Sequence, residues 1–262
     1  MKWIRHGLVY LIGLMVLVQM TGCSVETEGD LLSGIKERGS IRIGTEGTYK
    51  PFSFHDPKTN ELTGFDVEVA QEVAKRLGVK AEFVEIPWDG LLTSLQTGKI
   101  DMVANQVGIK PDRKEKFDFS KPYTVSYAQL VVHQDNQTIR SVEDIKGKKA
   151  GQTPTSNYGK MAEEHGAQII AYEDMMGAMQ DVAAKRIDLS LNDKLAIAEM
   201  MKNNDLPLKV IDIQSDRAES AFTVQKGNAE LVNAINQALD EMEKDGTLSK
   251  ISQKWFGVDV TK

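Results

Sequence analysis

Hydrophobic and polar positions along the chain alternate between two periods, which predicts strands and helices in turn. Residues 41–45 (IRIGT) form a short apolar run typical of a strand. Residues 66–77 place apolar side chains such as Val69 and Val73 at helical spacing, and Gly78 follows where a helix would end. Strand-like and helix-like segments continue to alternate, so we expect an α/β protein.

The same patterns place further elements along the rest of the chain. The predicted strands span residues 81–86, 101–104, 128–132, 149–152, 168–172, 187–191 and 221–224. The predicted helices span residues 88–97, 157–165, 174–185, 193–202, 229–244 and 248–255, and a short capped helix begins at Ser141.

One short pattern occurs twice in the chain. Residues 98–106 (GKIDMVANQ) resemble residues 185–193 (KRIDLSLND), and each segment predicts the end of a helix, a strand and a polar cluster. Ligands of open α/β sheets lie at the carboxyl ends of the strands. We therefore expect Asn105 with Gln106, and Asn192 with Asp193, to face a shared cleft; coincidence of two short matches is the alternative.

The N-terminus has the pattern of an export signal. Lys2 and Arg5 precede an apolar run of 14 residues, 7–20, which is too short to cross a bilayer as a helix and fits a signal peptide over residues 1–22. The residues Met-Thr-Gly-Cys that end at Cys23 resemble a bacterial lipobox, although Met20 stands where leucine is more usual. We expect lipid on Cys23, a tether over residues 23–38, and attachment to the extracellular face of the cell membrane. An ordinary secreted protein with an incidental cysteine is the alternative.

Composition narrows the class of function. The hydrophobic content of 41% and charged content of 27% are typical of a soluble globular domain, and a net charge of −6 argues against a nucleic-acid partner. P-loop, GxSxG and HExxH motifs are absent from the sequence, and His55, His133 and His165 are far apart. We therefore expect no metal, no cofactor and no catalysis.

Many short segments between residues 31 and 258 together match one family. They are residues 44–52 (GTEGTYKPF), 62–67 (LTGFDV), 88–91 (WDGL), 105–108 (NQVG), 111–113 (PDR), 117–120 (FDFS), 122–123 (PY), 187–188 (ID), 245–248 (DGTL) and 255–257 (WFG). In order and spacing they resemble the polar amino-acid-binding proteins of bacterial ABC importers, solute-binding protein family 3. Within it, GTEGTY, WDGL, NQV and the Asn-Asp-Lys at residues 192–194 look most like the cystine or sulfur-amino-acid branch.

This resemblance implies a type II periplasmic-binding-protein fold, with a ligand cleft between two lobes that two hinge strands join. By similarity, lobe 1 covers residues 39–125 plus 222–262, and lobe 2 covers residues 126–221. The implied function is capture of an amino acid, L-cystine or a related sulfur amino acid, for an ABC permease and its ATPase, by a monomer. Two alternatives are a binding protein for arginine, lysine or histidine, and a dehydratase-like enzyme on the same fold.

The resemblance also assigns the charged groups that would hold a zwitterionic ligand. Arg113 occupies the family's position for binding the ligand carboxylate, which a guanidinium suits because it offers two parallel donors. A solvated arginine is the alternative. Asp193 would accept from the ligand ammonium, although an aspartate there could instead cap the following helix, and one carboxylate can do both.

The remaining candidates would surround the ligand's side chain and its neutral edges. Tyr49 and Trp88 match the family's positions that sandwich the side chain, with core packing as the alternative. Glu46 would face a cationic side chain or the second ammonium of cystine. Ser156 or Asn157 could serve only as a helix cap. The other expected contacts are Asn105, Gln106, Ser156, Asn157, Tyr158 and Asn192, with backbone contact from Gly108.

Overall fold

The computed structural model describes residues 30–213 and 217–262. The predicted signal peptide and the lipidation site at Cys23 lie outside the described residues. The helices are α1 (Leu31–Arg38), α2 (Phe65–Arg76), α3 (Trp88–Gln96), α4 (Pro111–Lys114), α5 (Asn157–Glu164), α6 (Met175–Ala183), α7 (Lys194–Asn203), α8 (Ala229–Lys244) and α9 (Thr247–Phe256), with a 3₁₀ turn at Val142–Ile145. Across the described ranges, no helix is both long and apolar enough to span a bilayer.

The strands are mostly short and alternate with these helices. They are β1 (Ser40–Thr45), β2 (Thr48–Tyr49), β3 (Ser53–His55), β4 (Leu62–Thr63), β5 (Lys80–Glu85), β6 (Met102–Val103), β7 (Phe117–Phe119), β8 (Thr124–Ser126), β9 (Ala128–His133), β10 (Lys149–Gln152), β11 (Gln168–Ala171), β12 (Leu189–Asp193), β13 (Leu208–Asp212), β14 (Ala218–Ser220) and β15 (Thr223–Gln225). The predicted α/β class is confirmed.

Two five-stranded sheets dominate the fold. The first has the order β5-β1-β6-β15-β7 and the second β11-β10-β12-β9-β13. In each sheet three neighbouring strands are parallel, a fourth strand (β15 or β9) pairs antiparallel with the third, and the last strand (β7 or β13) pairs antiparallel with the fourth. The three-stranded hairpin sheet β2-β3-β4 follows β1.

The chain passes between the two sheets at two places. β8 lies between β7 of the first sheet and β9 of the second, and β14 lies between β13 of the second sheet and β15 of the first. These two strands pair with each other antiparallel, with Thr124 opposite Ser220 and Ser126 opposite Ala218. A two-stranded ribbon therefore joins the two halves.

The central strands β1, β9 and β12 are buried almost throughout, whereas the edge strands β5 and β11 are intermediate or exposed. Helix α8 illustrates how the sequence sets the packing, because Leu231, Ile235, Ala238, Leu239 and Met242 recur on one face of the helix and are all buried. On the opposite face of the first sheet, α3 contributes its own apolar cluster. The second sheet has corresponding clusters on its two faces.

The repeated Ile-Asp pattern has the same structural role in both sheets. The Asp101 carboxylate accepts the backbone N–H of Arg42 at 2.8 Å, and the Asp101 N–H donates to the Arg42 carbonyl at 2.9 Å. Asp188 makes the matching pair of bonds with Lys149, at 2.7 and 2.9 Å. Each aspartate fixes the start of a central strand, so the repeat reflects two equivalent sheets.

The tether predicted over residues 23–38 is too long. Residues 31–38 form α1, whose N-cap is Asp30 and whose Ile35 is fully buried in the core of the first sheet. Gly39 ends this helix in the left-handed conformation at φ 73°. Residues 31–38 are therefore part of the folded protein and not of a tether.

Candidate functional site

A cavity with about 510 Å³ of empty space, part of it open to solvent, lies where the carboxyl ends of strands from both sheets meet. Its walls include the residues that follow β1 and β6 in the first sheet, and the ends of β10 and β12 in the second. The lining residues are Glu46, Tyr49, Trp88, Asn105, Gln106, Gly151, Gln152, Thr153, Ser156, Asn157, Tyr158, Asp174, Met175, Ala178, Ser190 and Asn192. The cleft predicted from the repeated pattern is present.

Asn105 organises the wall contributed by the first sheet. Its side-chain oxygen accepts from the hydroxyls of Thr45 (3.0 Å) and Ser53 (3.2 Å) and from the N–H of Glu46 (2.9 Å). Its amide nitrogen donates to Glu46 Oε2 at 2.5 Å. This network holds the Glu46 carboxylate at the cavity wall.

Gln106 is held in an unusual backbone conformation beside Asn105. Its φ is 51°, in the left-handed region that is costly for a residue with a side chain. The fully buried Asp66, from the first turn of α2, accepts its backbone N–H at 2.8 Å and its Nε2 at 2.7 Å. Burial raises the pKa of Asp66 to about 7. Gln106 lines the cavity, and its buried Oε1 has no hydrogen-bond partner among the described residues.

The second sheet positions the other wall through two helix starts. Ser156 caps α5 by accepting the N–H of Gly159 at 2.9 Å. Asp193 caps α7 by accepting the N–H of Leu195 at 2.8 Å, and it also accepts from the hydroxyls of Ser126 (2.8 Å) and Tyr158 (3.2 Å). Capping was the alternative role for both residues, and both perform it.

Asp193 does not line the cavity, yet it is connected to it. The residue is 3% exposed, and burial raises the pKa of its carboxyl to about 6. Tyr158, whose hydroxyl donates to Asp193, is part of the wall. Tyr158 therefore links the buried Asp193 carboxylate to the cavity.

Arg113 is buried beside the cavity rather than solvated, at 7% exposure. Its Nη1 donates to the Gly108 carbonyl at 3.2 Å and its Nη2 to the Thr155 carbonyl at 3.3 Å. The guanidinium carbon lies 5.3 Å from the centre of the Trp88 ring. Gly108, Arg113 and Asp193 are the three predicted contacts that the structure does not bring onto the cavity wall.

The lobes touch directly across the cleft. The Tyr49 hydroxyl donates to Asn192 Oδ1 at 2.6 Å. Asp89 Oδ1 accepts from the Thr155 hydroxyl at 2.5 Å and from the Thr155 N–H at 3.2 Å. These bonds join residues near the first sheet to residues of the second.

The cavity combines negative charge with unmatched donors. Loss of water around Glu46 raises the pKa of its carboxyl to about 7; the Asn105 hydrogen bond opposes this rise, and the nearby charge of Asp174 adds to it. Trp88 Nε1 and Gln152 Nε2 are buried donors that find no acceptor in the part of the chain that the structure describes. A ligand that carries both acceptors and a cation would satisfy these groups.

Sequence reasoning missed one part of the second lobe's wall. The residues are Gly151, Gln152, Thr153, Asp174, Met175, Ala178 and Ser190. Gln152 ends β10, so the rule that found Asn192 at the end of β12 could have found it too. Asp174 is a helix N-cap, accepting from the Gly177 N–H at 2.8 Å, and nothing local in the sequence separates that role from ligand contact.

Gly151 is needed for the close packing behind this wall. A Cβ at Gly151 would overlap the side chain of Ile187 and lie 3.0 Å from Ala178 and from the Tyr172 ring. The absence of a side chain lets α6 approach β10, which brings Asp174 and Ala178 to the cavity.

Comparison with known proteins identifies relatives along nearly the whole chain. L-cystine-binding protein TcyA of Bacillus subtilis strain 168 is 48% identical over 236 residues, covering 90% of this chain and 88% of that protein. L-cystine-binding protein TcyJ of Escherichia coli strain K12 is 43% identical over 267 residues, covering both chains completely.

Two solved structures match the overall arrangement of this chain to different degrees. An ancestral arginine-binding protein bound to arginine has a TM-score of 0.78 at 39% identity, with 84% of this chain and 99% of that chain covered. The L-cystine solute receptor of Neisseria gonorrhoeae, in its unliganded open conformation, has a TM-score of 0.59 at 41% identity, with 89% and 100% covered. At nearly equal identity, the lobes described here are arranged more like those of the ligand-bound protein.

The family assignment follows from a match over most of the chain. The profile of the bacterial extracellular solute-binding proteins, family 3, matches residues 41–258. The type II fold of the amino-acid-binding neighbours agrees with the two sheets and the cleft between them. This chain belongs to the bacterial extracellular solute-binding proteins, family 3.

Proposed function

We propose that this chain is an exported lipoprotein that captures L-cystine, or a related sulfur amino acid, and delivers it to an ABC permease and its ATPase. Two relatives of 48% and 43% identity are named L-cystine-binding proteins. The family is one of extracellular solute-binding proteins. Function here means binding and release, with no chemical change of the ligand.

The observation that carries this proposal is the unmatched polarity of the cavity. Glu46 and Asp174 offer carboxylates, Gln106 offers an acceptor, and Trp88 and Gln152 offer donors that lack protein partners. Buried polar groups are normally paired, so a ligand of complementary polarity is the natural occupant. Met175, Ala178 and the Trp88 ring supply apolar surface for an aliphatic sulfur chain.

Arg113 and Asp193 are the proposed holders of one amino-acid head group. Arg113 donates only to two backbone carbonyls, at 3.2 and 3.3 Å, so its guanidinium can turn toward a carboxylate at the cavity edge. Asp193 is buried, and the Tyr158 hydroxyl lies between it and the cavity. An ammonium placed at Tyr158 would feel the Asp193 charge in a dry environment.

Capture proceeds by closure of two lobes, for which we propose residues 39–125 plus 222–262 and residues 126–221. The β8–β14 ribbon is the connection about which they move. The cross-cleft bond from Tyr49 to Asn192, and those from Thr155 to Asp89, form in the closed state. The closed, loaded monomer is the form presented to the permease.

Export and anchoring rest on the sequence alone. We propose cleavage after residue 22 and lipid on Cys23, which holds the protein at the extracellular face of the cell membrane, or its periplasmic side where an outer membrane exists. In detergent phase partitioning, the expressed protein should enter the detergent phase and a Cys23→Ala variant should not. Equal partitioning of both proteins into water would refute the anchor.

A basic amino acid is the second candidate ligand, because the Glu46 and Asp174 carboxylates would also suit a guanidinium or an ammonium side chain. A thermal-shift screen of all proteinogenic amino acids, L-cystine and L-cystathionine, followed by calorimetry, separates the two. We expect the largest shift and micromolar or tighter binding with L-cystine. A large shift with arginine, lysine or histidine and none with cystine would replace the assignment.

A further inference from the structure

Asp174 places a second carboxylate on the wall of the cavity that Glu46 also lines. It caps α6 by accepting the Gly177 N–H at its Oδ1, at 2.8 Å, and it is half-buried. Glu46 follows β1 of the first sheet, whereas Asp174 follows β11 of the second. The two residues line both the main cavity and a side opening beside it, which Glu85 and Glu173 also line.

Two like charges on opposite lobes oppose closure unless a cation lies between them. The nearby Asp174 charge contributes to the raised pKa of Glu46, which places the two carboxylates within electrostatic reach. Arg113 lies apart from this pair, because it donates to the carbonyls of Gly108 and Thr155 and lines neither the main cavity nor the side opening. The cavity therefore has one region beside Arg113 and Asp193 and another beside Glu46 and Asp174.

Gln152 adds a donor to this second region. The residue is 4% exposed, and its Nε2 has no acceptor within residues 30–213 and 217–262. Its carbonyl accepts the Tyr172 N–H at 2.9 Å. This bond holds the end of β10 against Tyr172, which precedes Asp174 by two residues. A buried unpaired donor destabilises the protein, so this amide is matched to an acceptor that arrives with the ligand.

We propose that Asp174 and Gln152 recognise the second amino-acid head group of the ligand, Asp174 with Glu46 accepting from its ammonium and Gln152 donating to its carboxylate. This inference rests on the proposed function, namely that the ligand is an amino acid held at its first head group by Arg113 and Asp193. Contacts to the second head group add a specificity that contacts to the first head group cannot supply. Ligands with a zwitterion at both ends are preferred over those with one.

The test uses ligands from which one distal group has been removed. The mixed disulfide of L-cysteine with cysteamine keeps the distal ammonium and lacks the distal carboxylate. The mixed disulfide of L-cysteine with 3-mercaptopropionate keeps the distal carboxylate and lacks the ammonium. Affinities of L-cystine and both analogues are measured on the full mature chain by calorimetry, with competition against cystine for weak binders.

Two variants probe the two contacts separately. Asp174→Asn retains a side chain that caps helices as well as aspartate does, and Gln152→Met retains the volume of glutamine without its donor. Glu173→Gln is the matched control, because Glu173 lines the side opening but not the main cavity. Thermal melting of each unliganded variant verifies that it folds.

We expect Asp174→Asn to weaken cystine and the cysteamine disulfide about tenfold, and to leave the mercaptopropionate disulfide within about twofold of wild type. Gln152→Met should show the converse selectivity. Glu173→Gln should bind all three ligands like the wild-type protein.

Four outcomes overturn the inference. Variants that bind cystine as wild type does, or that lose affinity equally for all three ligands, would exclude recognition of a distal head group while leaving the proposed function intact. Wild-type protein that binds both analogues as tightly as cystine would exclude it as well. Wild-type protein that does not bind cystine would overturn the proposed function together with this inference.

Discussion

The Tyr49 hydroxyl donates to the Asn192 side-chain oxygen at 2.6 Å, and this bond joins the hairpin that follows β1 to the end of β12 in the other sheet. Both residues line the cavity. The bond therefore exists only when the two halves of the protein are together, and it couples closure to the geometry of the site.

Removal of this hydroxyl should weaken the closed state. We expect Tyr49→Phe to lower ligand affinity by up to about tenfold, because a net hydrogen bond contributes about 0.5–1.5 kcal/mol while the ring is retained. Tyr172→Phe is the matched control, since its hydroxyl donates to Asp181 at 2.5 Å outside the cavity. Calorimetry that finds equal affinities for the two variants would argue against coupling through Tyr49.

Asp89 makes the second direct connection across the cleft, with two bonds from Thr155. We expect Asp89→Ala and Thr155→Val each to weaken ligand binding roughly three- to tenfold through loss of closure. The Lys160–Asp112 ion pair spans the same gap at 3.2 Å, but both side chains are more than half exposed. Lys160→Ala should change affinity less than about twofold, because exposed ion pairs contribute little.

Titration calorimetry and small-angle scattering of these three proteins give affinity and compactness together. If Lys160→Ala weakened binding as much as Asp89→Ala, the distinction between a hydrogen-bonded contact and a solvated ion pair would be wrong.

Replacement of Arg113 should weaken ligand binding more than loss of the Tyr49 or Asp89 bonds across the cleft. Its burial at 7% exposure and its position over Trp88 suit a partner for a ligand carboxylate. Arg113→Ala should weaken binding roughly a hundredfold or more, since removal of one partner of a buried charge pair costs about 3–5 kcal/mol. Arg113→Lys should recover only part of the loss, because it lacks the two-donor fork.

The control for Arg113 is an exposed arginine. Arg186, whose side chain is 70% exposed, can be replaced by alanine with no expected change in affinity. A loss of less than about tenfold for Arg113→Ala, measured by calorimetry, would remove Arg113 from the account.

Glu46 gives stability a predictable dependence on pH. Burial raises the pKa of its carboxyl from 4.5 to about 7, so between these values the folded protein binds a proton that the unfolded chain has released. The stabilisation that this proton contributes is therefore fully present below the pKa of Glu46 in the unfolded chain. It is lost as the pH rises through the pKa of Glu46 in the folded protein. Asp66 and Asp193, with pKa values raised to about 7 and about 6, act in the same direction.

Glu46→Gln should reduce this fall without abolishing it. Between about pH 5 and pH 7.5, wild type should lose more unfolding free energy than the variant, by on the order of 1 kcal/mol, because two raised carboxyl groups remain. Urea unfolding at the two pH values measures the difference. Parallel losses in the two proteins would mean that Glu46 is ionised in the unliganded fold over this range.

The sequence predicted the elements whose apolar residues face a large core. The bounds of α8 agree with the residues predicted, 229–244, because its buried positions recur with the helical period. The bounds of β10 also agree, at 149–152. Helix α1 was missed because Ile35 is its only fully buried side chain, among polar neighbours. The two- and three-residue strands of the hairpin sheet are too short to show a period.

The strand at the end of the repeated pattern was predicted two residues too early. β12 continues to Asp193, which pairs with Ala128 of the antiparallel neighbour β9. Pairing across a sheet decides where this strand ends, and local sequence carries no signal of it.

The candidate site was predictable where residues follow strands of the first sheet, as Glu46, Asn105 and Gln106 do. Asp174 was not, because its place on the cavity depends on the approach of α6 to β10 at Gly151. For Arg113 the sequence left a solvated side chain as the alternative to carboxylate binding, and it is tertiary packing against the Trp88 ring that buries the residue.

A crystal structure of the mature chain grown with L-cystine would test the central claim most directly. The account predicts one cystine in the cavity between the two sheets, with one head group at Arg113 and Tyr158 and the other within hydrogen-bond distance of Asp174 and Gln152. Cystine bound elsewhere on the protein, or an empty cavity at saturating cystine, would contradict it.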